Sequence, residues 1–365
     1  MGVDSPDLIP FYTACLPPKT AFHNRCIRYA KRRLGWKQTS PQVVTKVTAA
    51  VARKHRDFPI SVNIALGNQC NLSCDHCFYH SRVRASYFDK PEEMSWPTVR
   101  RIIDELPLHR TFAKFGSYEE PLLYYPKFSE LASAFIHSGV GVHLTTNGTL
   151  IRPDRIGLLQ NLRTLYVSLD AASAGTYKEI RGGDYERVLK NTLDLASSFK
   201  GIQMGTSFIR QPRASHEEQA FIDFWLPKVD MVILYALLAY NESGYSIDQP
   251  FLAPPPYRVV CSSPWLETYV MPNGDVTLCC QTLVMTGRTN IPVMGNINNQ
   301  SLERIWNGPS YERYRAALID QDWDHANICR DCPIWSASYY TVEHKDGLKI
   351  TRNPTTKVIE EATEA

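Results

Sequence analysis

The stretch Cys70-Asn71-Leu72-Ser73-Cys74-Asp75-His76-Cys77-Phe78 limits what this chain can be more than any other. It follows directly on the β-rich run Val62–Leu66, so the three thiols sit in the loop at the carboxyl end of the first expected strand. A C-x3-C-x2-C loop can wrap one cubane and ligate three irons with thiolates. The fourth iron then has no ligand from the loop, and an open position on a metal is where substrate or water binds. Structural zinc with His76 as fourth ligand is the alternative. Its difficulty is that adjacent His76 and Cys77 would have to converge on one small ion, with no second cysteine pair nearby in the sequence.

The other cysteines sharpen the point. Of ten in 365 residues, three lie in this loop and five between Cys261 and Cys332, while Cys15 and Cys26 stand alone and read as ordinary thiols. Met1–Pro10 carries two acids and no Lys or Arg, so no secretory pattern is present and the clusters point to metal rather than disulfides. The longest apolar run, Met231–Tyr240, is about half a membrane span, so no span is expected. A cytoplasmic protein is the expectation. The net charge of +3 is too small to argue for a nucleic-acid partner. A basic run, Arg25, Arg28, Lys31, Arg32, Arg33 and Lys37, reads as a solvated helix face; an acidic surface or a phosphate-bearing substrate is the alternative.

From residue 61 short β-rich runs alternate with amphipathic stretches, the rhythm of βα units around a parallel sheet. The expected strands are Val62–Leu66, Thr111–Phe115, Val142–Thr146, Thr164–Leu169, Gln203–Phe208 and Met231–Tyr235. Ser95 is an expected N-cap with Pro97 just inside the helix, and Gly139 an expected C-cap for Lys127–Ser138. Other helices are expected near Arg152–Leu162, Tyr185–Phe199 and Ser215–Leu226. Six strands with five or six helices make an α/β partial (βα)6 TIM-like barrel, whose chemistry gathers at the carboxyl ends of the strands. Residues 1–60 precede it as a partly helical, basic extension, and the barrel is expected over 61–253. The prolines Pro254–Pro256 mark a boundary. Beyond them, over 254–340, a small β-hairpin/helix metal domain is expected. In it Thr268–Met271 and Val276–Cys279 flank the hairpin signal Asn273-Gly274, and a helix runs near Leu302–Trp306. The tail 341–365 reads as polar, and Asn353–Ala365 as frayed.

In its cysteine loop, the chain resembles the radical SAM superfamily, whose central motif is C-x3-C-x2-C followed by an aromatic. The resemblance implies that the open iron is chelated by the amino and carboxylate groups of S-adenosylmethionine (SAM). Reductive cleavage, fed by a donor such as flavodoxin or ferredoxin, then yields a 5′-deoxyadenosyl radical. It further implies that Phe78 packs near the cluster and adenine. Gly116-Ser117-Tyr118-Glu119-Glu120-Pro121 stands where the family has Gly-Gly-Glu-Pro, with Glu120 matching the carboxylate that meets the methionine amine. Tyr118 and Glu119 depart from that pattern, since side chains at glycine positions crowd a close approach. Thr146-Asn147-Gly148 and Ser168-Leu169-Asp170 resemble family features at the next two strand ends, Ser168 facing ribose or the methionine carboxylate. Taken singly, Asn147-Gly148 reads as a turn and Asp170 as a helix cap.

Cys261 precedes Gly274 by twelve intervening residues and Cys279 by four more, and Cys329-x2-Cys332 follows fifty residues later. Tetrahedral zinc and a fully ligated [4Fe–4S] cluster both fit four thiolates. The region resembles the SPASM/twitch domains that hold auxiliary iron–sulfur clusters, with Gly295-Asn296-Ile297 and Ile305-Trp306-Asn307 in keeping. No cysteine follows Cys332, which implies one auxiliary cluster. Cys280 is a spare beside Cys279: a small buried residue first, otherwise the ligand or a hydrogen-atom donor. The resemblance covers residues 60–335.

A fully ligated second cluster points to electron transfer. If the radical removes one hydrogen atom from substrate, a base can take a proton and the cluster an electron. Together with the twitch-bearing relatives that dehydrogenate aminocyclitols or sugar alcohols, this suggests oxidation of a small hydroxylated substrate, with Arg210 at the fifth strand's end as a contact. Peptide crosslinking and epimerisation are the alternatives within the family; residues 1–60 are short and basic for a leader-binding domain. A zinc-stabilised binding protein is the non-enzymatic reading. Its basic face would need stacking aromatics, and the basic run has only Tyr29 and Trp36.

Overall fold

The computed structural model describes residues 57–82, 87–198, 203–241, 244–254, 258, 260–286, 291–338 and 340–362. Cys15, Cys26, the basic run and most of the triple proline lie outside the described residues.

Six parallel strands form as expected: β1 (Ser61–Ile64), β2 (Phe112–Phe115), β3 (Gly141–Thr146), β4 (Thr164–Ser168), β5 (Gln203–Arg210) and β6 (Met231–Asn241). Each pairs in parallel with the next. Helices α1 (Trp96–Glu105), α2 (Tyr125–Ser138), α3 (Pro153–Leu159), α4 (Ala174–Arg181), α5 (Tyr185–Ser198) and α6 (Glu218–Trp225) lie between them in the chain. Local chemistry sets their ends. The Ser95 hydroxyl accepts from the Thr98 amide at 3.3 Å at the start of α1, and α2 stops where Gly139 turns left-handed at φ 80°.

The strands alternate between two environments. Val62, Ile64, Ala113, Phe115, Val142, Leu144, Leu165 and Val167 pack beneath the helices with Val99, Ile102, Phe128, Leu131 and Phe135. The intervening Asn63, Phe112, Lys114, His143, Thr145 and Tyr166 face the concave side. Period-two alternation thus gives each strand an apolar back and a mixed front, and the front is free to build a site.

The sheet continues beyond both ends of the barrel strands. The expected hairpin forms from β8 (Glu267–Val270) and β9 (Asp275–Thr277), with β10 (Val293–Asn296) beside it, and β8 pairs in parallel with β1. Gly274 turns this hairpin at φ 87°, and any side chain there would meet Asn298 Nδ2 at 2.3 Å. On the other side β7 (Gly244–Asp248) folds back on β6. The tail corrects the expectation of fraying: β11 (Thr341–Lys345), β12 (Leu348–Arg352) and β13 (Thr356–Glu361) form an antiparallel sheet that joins β6 through β13. Val358 and Ile359 are buried, because β6 would otherwise present an open edge and an uncovered apolar flank. The strand order is β10-β9-β8-β1-β2-β3-β4-β5-β6-β13-β12-β11. Among the described residues no helix is long and apolar enough to cross a membrane.

Candidate metal centres and the cavity between them

The loop after β1 gathers its three thiols. Cys74 and Cys77 each add to the Coulombic load on Cys70, whose thiol burial pushes up to about 12. Backbone amides already point at sulfur, Leu72 N to Cys70 Sγ at 3.5 Å and His80 N to Cys77 Sγ at 3.4 Å, as a loop shaped to hold thiolates requires. His76 does not turn toward these thiols. Its Nε2 lies 3.4 Å from Asp170 Oδ2 and its Nδ1 3.4 Å from Gln211 Nε2, so the four-ligand zinc arrangement does not form here.

The neighbouring strand ends converge on the loop. The Asn147 amide donates to Cys70 Sγ at 3.7 Å and to Asn71 Oδ1 at 2.9 Å. The Glu120 carboxylate accepts from Thr146 Oγ1 and the Asn147 amide N–H, both at 2.8 Å, and from Leu122 N at 3.1 Å, tying β2 to β3. Asp170 is not a helix cap: Ser173 caps α4, while Asp170 takes a left-handed φ of 60° and pairs with Arg181 at 3.1 Å. Ser168 meets the same arginine through its carbonyl, which accepts from Arg181 Nη1 at 2.5 Å. Tyr118 and Glu119 turn away from the cavity instead of crowding it. Tyr118 joins an aromatic group with Tyr79, Phe88 and Tyr269, and the buried Glu119 carboxyl is pushed up to about 7 by desolvation. Gly116 is required where it stands, since a Cβ would lie 2.1 Å from the Thr145 carbonyl oxygen.

The hairpin, and the helix α7 (Asn327–Arg330) with the turn after it, assemble the second thiol set. Cys279 is pushed well up by burial and by the charges of Cys280, Cys329, Cys261 and Cys332. Cys332 is raised by burial, Cys261 and Cys329. Four partly buried thiols that raise one another's pKa repel as thiolates, a load that a cationic cluster core would neutralise. Cys280 faces the other way. Burial pushes its thiol up to about 12, so it stays an S–H at neutral pH, and the charged groups it meets first are Glu267 and Lys114.

One cavity, of about 490 Å³, is lined by Cys77 and Phe78 from the first loop and by Cys261 and Ser262 from the second thiol set. A second, of about 380 Å³, runs down the barrel past Lys114, Glu267 and His143. Ser117, Tyr235 and Cys280 line both. Arg210 lines neither: it makes a two-pronged pair with Glu218 at 2.7 and 2.9 Å and stacks on Phe251 at 4.0 Å.

Comparison with known proteins agrees with this geometry. The family model described as the radical SAM superfamily matches residues 64–209, and the SPASM model, an iron–sulfur cluster-binding domain, matches residues 261–333. The chain is a radical SAM protein with a SPASM domain. The two domains imply a SAM-binding [4Fe–4S] cluster, SAM and auxiliary iron–sulfur binding. An AdoMet-dependent heme synthase of Methanosarcina barkeri is 33% identical over 52% of this chain and 53% of its own length. The chain spans about half the length of the curated relatives it matches. Two solved structures share the fold. Streptococcus suis SuiB bound to S-adenosylmethionine is 18% identical with a TM-score of 0.56, covering 81% of this chain and 79% of SuiB. The AdoMet-bound anSMEcpe is 16% identical with a TM-score of 0.52, covering 75% and 91%.

Sequence reasoning missed two sets of groups, Arg181 at the first thiol set and Lys114 with Glu267 in the second cavity. Arg181 is buried against Cys74 and Asp170, and its charge is held by both. Lys114 and Glu267, 3.8 Å apart, come from strands more than 150 residues apart in the chain, so only the β8-on-β1 pairing brings them together. The Arg181-Gly182-Gly183 run was the available cue for the first, since two glycines after a helical cation mark a helix end aimed at a turn.

Proposed function

We propose that this protein is a radical SAM oxidoreductase that oxidises a small hydroxylated substrate, such as a sugar or aminocyclitol, in the cavity between its two thiol sets. Cys70, Cys74 and Cys77 hold the SAM-binding cluster, and Cys261, Cys279, Cys329 and Cys332 hold one auxiliary [4Fe–4S] cluster. The observation that carries the reading is a cavity lined both by Cys77 of the first thiol set and by Cys261 of the second. When bound and reduced, by a donor such as flavodoxin or ferredoxin, cluster and SAM supply a 5′-deoxyadenosyl radical that takes a hydrogen atom. The protein's share is placement. Asn147 and the amides of Leu72 and His80 orient the thiolates, and Phe78 walls the cavity beside Cys77. Glu120 holds the ends of β2 and β3 together, and Arg181, held by Asp170 and the Ser168 carbonyl, supplies a fixed positive charge to anionic groups bound there. A cluster held by Cys261, Cys279, Cys329 and Cys332 would accept the electron left on the substrate once a base has taken the second hydrogen as a proton.

Cys280 supports a second reading. A protonated thiol at the junction of the two cavities can return a hydrogen atom to a substrate radical, which is epimerisation. A peptide belongs among the substrates tried, since SuiB, of like fold, has been solved bound to precursor peptide SuiA.

The test is anaerobic incubation with SAM, reductant and candidate polyols, aminocyclitols and peptides. Oxidation gives 5′-deoxyadenosine and a product two hydrogens lighter. A product of unchanged mass that carries solvent deuterium would replace oxidation by epimerisation, and absence of 5′-deoxyadenosine with every candidate would count against both.

A further inference from the structure

The second thiol set has a cation built against it. Arg258 donates through one guanidinium nitrogen to the Cys329 carbonyl and through another to the Arg330 carbonyl, so it grips the turn that presents Cys329 and Cys332. The guanidinium lies 4.5 Å from the Trp323 ring and 5.7 Å from the Trp335 ring, two indoles within cation–π reach that help hold it in place. The cation is thereby anchored on the backbone of the segment that carries two of the four thiols. Cys279 has a different environment, with Thr282 Oγ1 at 3.9 Å from its sulfur and other cysteines as its chief charged neighbours. Tyr314 adds a neutral donor, its hydroxyl 3.6 Å from Cys329 Sγ.

We propose that Arg258 is a positioning residue that raises the reduction potential of the auxiliary cluster and so makes this site an electron acceptor rather than a donor. The inference rests on the proposed assignment of a cluster to Cys261, Cys279, Cys329 and Cys332. The physical argument is short. A four-thiolate [4Fe–4S] centre becomes more negative by one charge on reduction. A fixed cation in a water-poor setting stabilises that added charge more than it stabilises the oxidised form. Arginine suits the position because its planar fork can hold two carbonyls while its face stacks on indole, and because it keeps its proton in a half-buried site.

The experiment is a potentiometric titration of the reconstituted full-length protein followed by electron paramagnetic resonance, with the first-site signal recognised as the one that SAM perturbs. Arg258→Gln keeps donors for the carbonyls and removes the charge; Arg258→Lys keeps the charge and loses the fork. The Gln variant should need a lower potential for half-reduction of the auxiliary signal. At a fixed solution potential near the wild-type midpoint, its reduced-to-oxidised ratio should fall at least tenfold, equivalent to 59 mV for a one-electron couple. The Lys variant should stay near the wild-type value, and the SAM-sensitive signal should not move in either. Loss of auxiliary iron from Gln but not from Lys would also support the proposal, since charge is then what the thiolates need. A Gln variant with full iron and an unmoved auxiliary midpoint would overturn it, and so would loss of iron from both variants, which would make Arg258 a structural anchor. A wild-type protein with no second iron–sulfur signal would instead remove the cluster assignment beneath it.

Discussion

Adjacent cysteines with opposite surroundings make the sharpest test at the scale of single residues. Cys279 meets Cys261, Cys329 and Cys332 besides its chain neighbour Cys280, whereas Cys280 meets Glu267, Lys114 and both cavities. Cys279→Ala should therefore cost about four irons of about eight, and Cys280→Ala about none, as counted by iron and sulfide analysis. Equal losses would put both thiols at the cluster. In the turnover assay Cys280→Ala should leave an oxidation intact but abolish solvent hydrogen return if the reaction is epimerisation. Glu119 supplies a pH signature. Its carboxyl is raised to about 7 by burial, so between the ordinary value of 4.5 and 7 the folded protein binds more protons than the unfolded chain. Stability must then fall as pH rises through that window and level off above it, by on the order of 3 kcal/mol from this group. Glu119→Gln should flatten the slope between pH 4.5 and 7 and be the more stable protein at pH 8 in urea unfolding; an unchanged slope would exclude Glu119 as its source. The cysteine spacing was readable because chemistry acts on neighbours in sequence. Which of Cys279 and Cys280 points at the cluster, and that Arg181 sits on Cys74, depend on a turn's backbone path and a helix's rotation, which no local pattern encodes.

Among whole elements, the six parallel strands were legible because each is a short apolar or β-branched run between helices with clear caps, such as Ser95 and Gly139. The last three strands read in the sequence only as a polar tail, frayed from Asn353 on, because their faces carry Glu343, Lys345, Lys349, Glu360 and Glu361. The signal was present all the same. Asp346 and Gly347, both at positive φ, are the two central residues of a tight hairpin turn, a pattern that Asp-Gly favours over most pairs. What could not be read was the partner, since β13 seals β6 across more than 100 residues of chain. Removal of residues 341–365 would strip Val358 and Ile359 from that flank and open the β6 edge. The loss should be several kcal/mol, from roughly 1.5–3 kcal/mol for each buried side chain and the ladder besides. A lower unfolding midpoint and concentration-dependent aggregation are expected, measured by calorimetry and light scattering. A truncated protein with the midpoint of the full chain would mean that these strands are dispensable.

At the scale of the molecule, β8 lies parallel on β1, so the hairpin that presents Cys279 is continuous with the strand that ends in the Cys70 loop. The two thiol sets are thus joined by hydrogen-bonded backbone, not by a flexible tether, and both reach one cavity. That geometry separates the half-reactions. Under the proposed oxidation, hydrogen-atom removal would need the first site and its completion the second. Cys329→Ala with Cys332→Ala should leave the first site able to cleave SAM while blocking the exit of the second electron. Two quantities measured together then decide the matter, 5′-deoxyadenosine and oxidised product per enzyme. In the wild type they should rise in equal amounts. In the double variant 5′-deoxyadenosine should persist, slower and with deuterium returned from labelled substrate, while oxidised product drops by at least about tenfold, corresponding to about 1.4 kcal/mol or more on that step. The variant must keep about four irons and its SAM-perturbed signal for the comparison to hold. Equal stoichiometry in wild type and variant would show that the electron leaves by another route and that the second thiol set serves the fold alone.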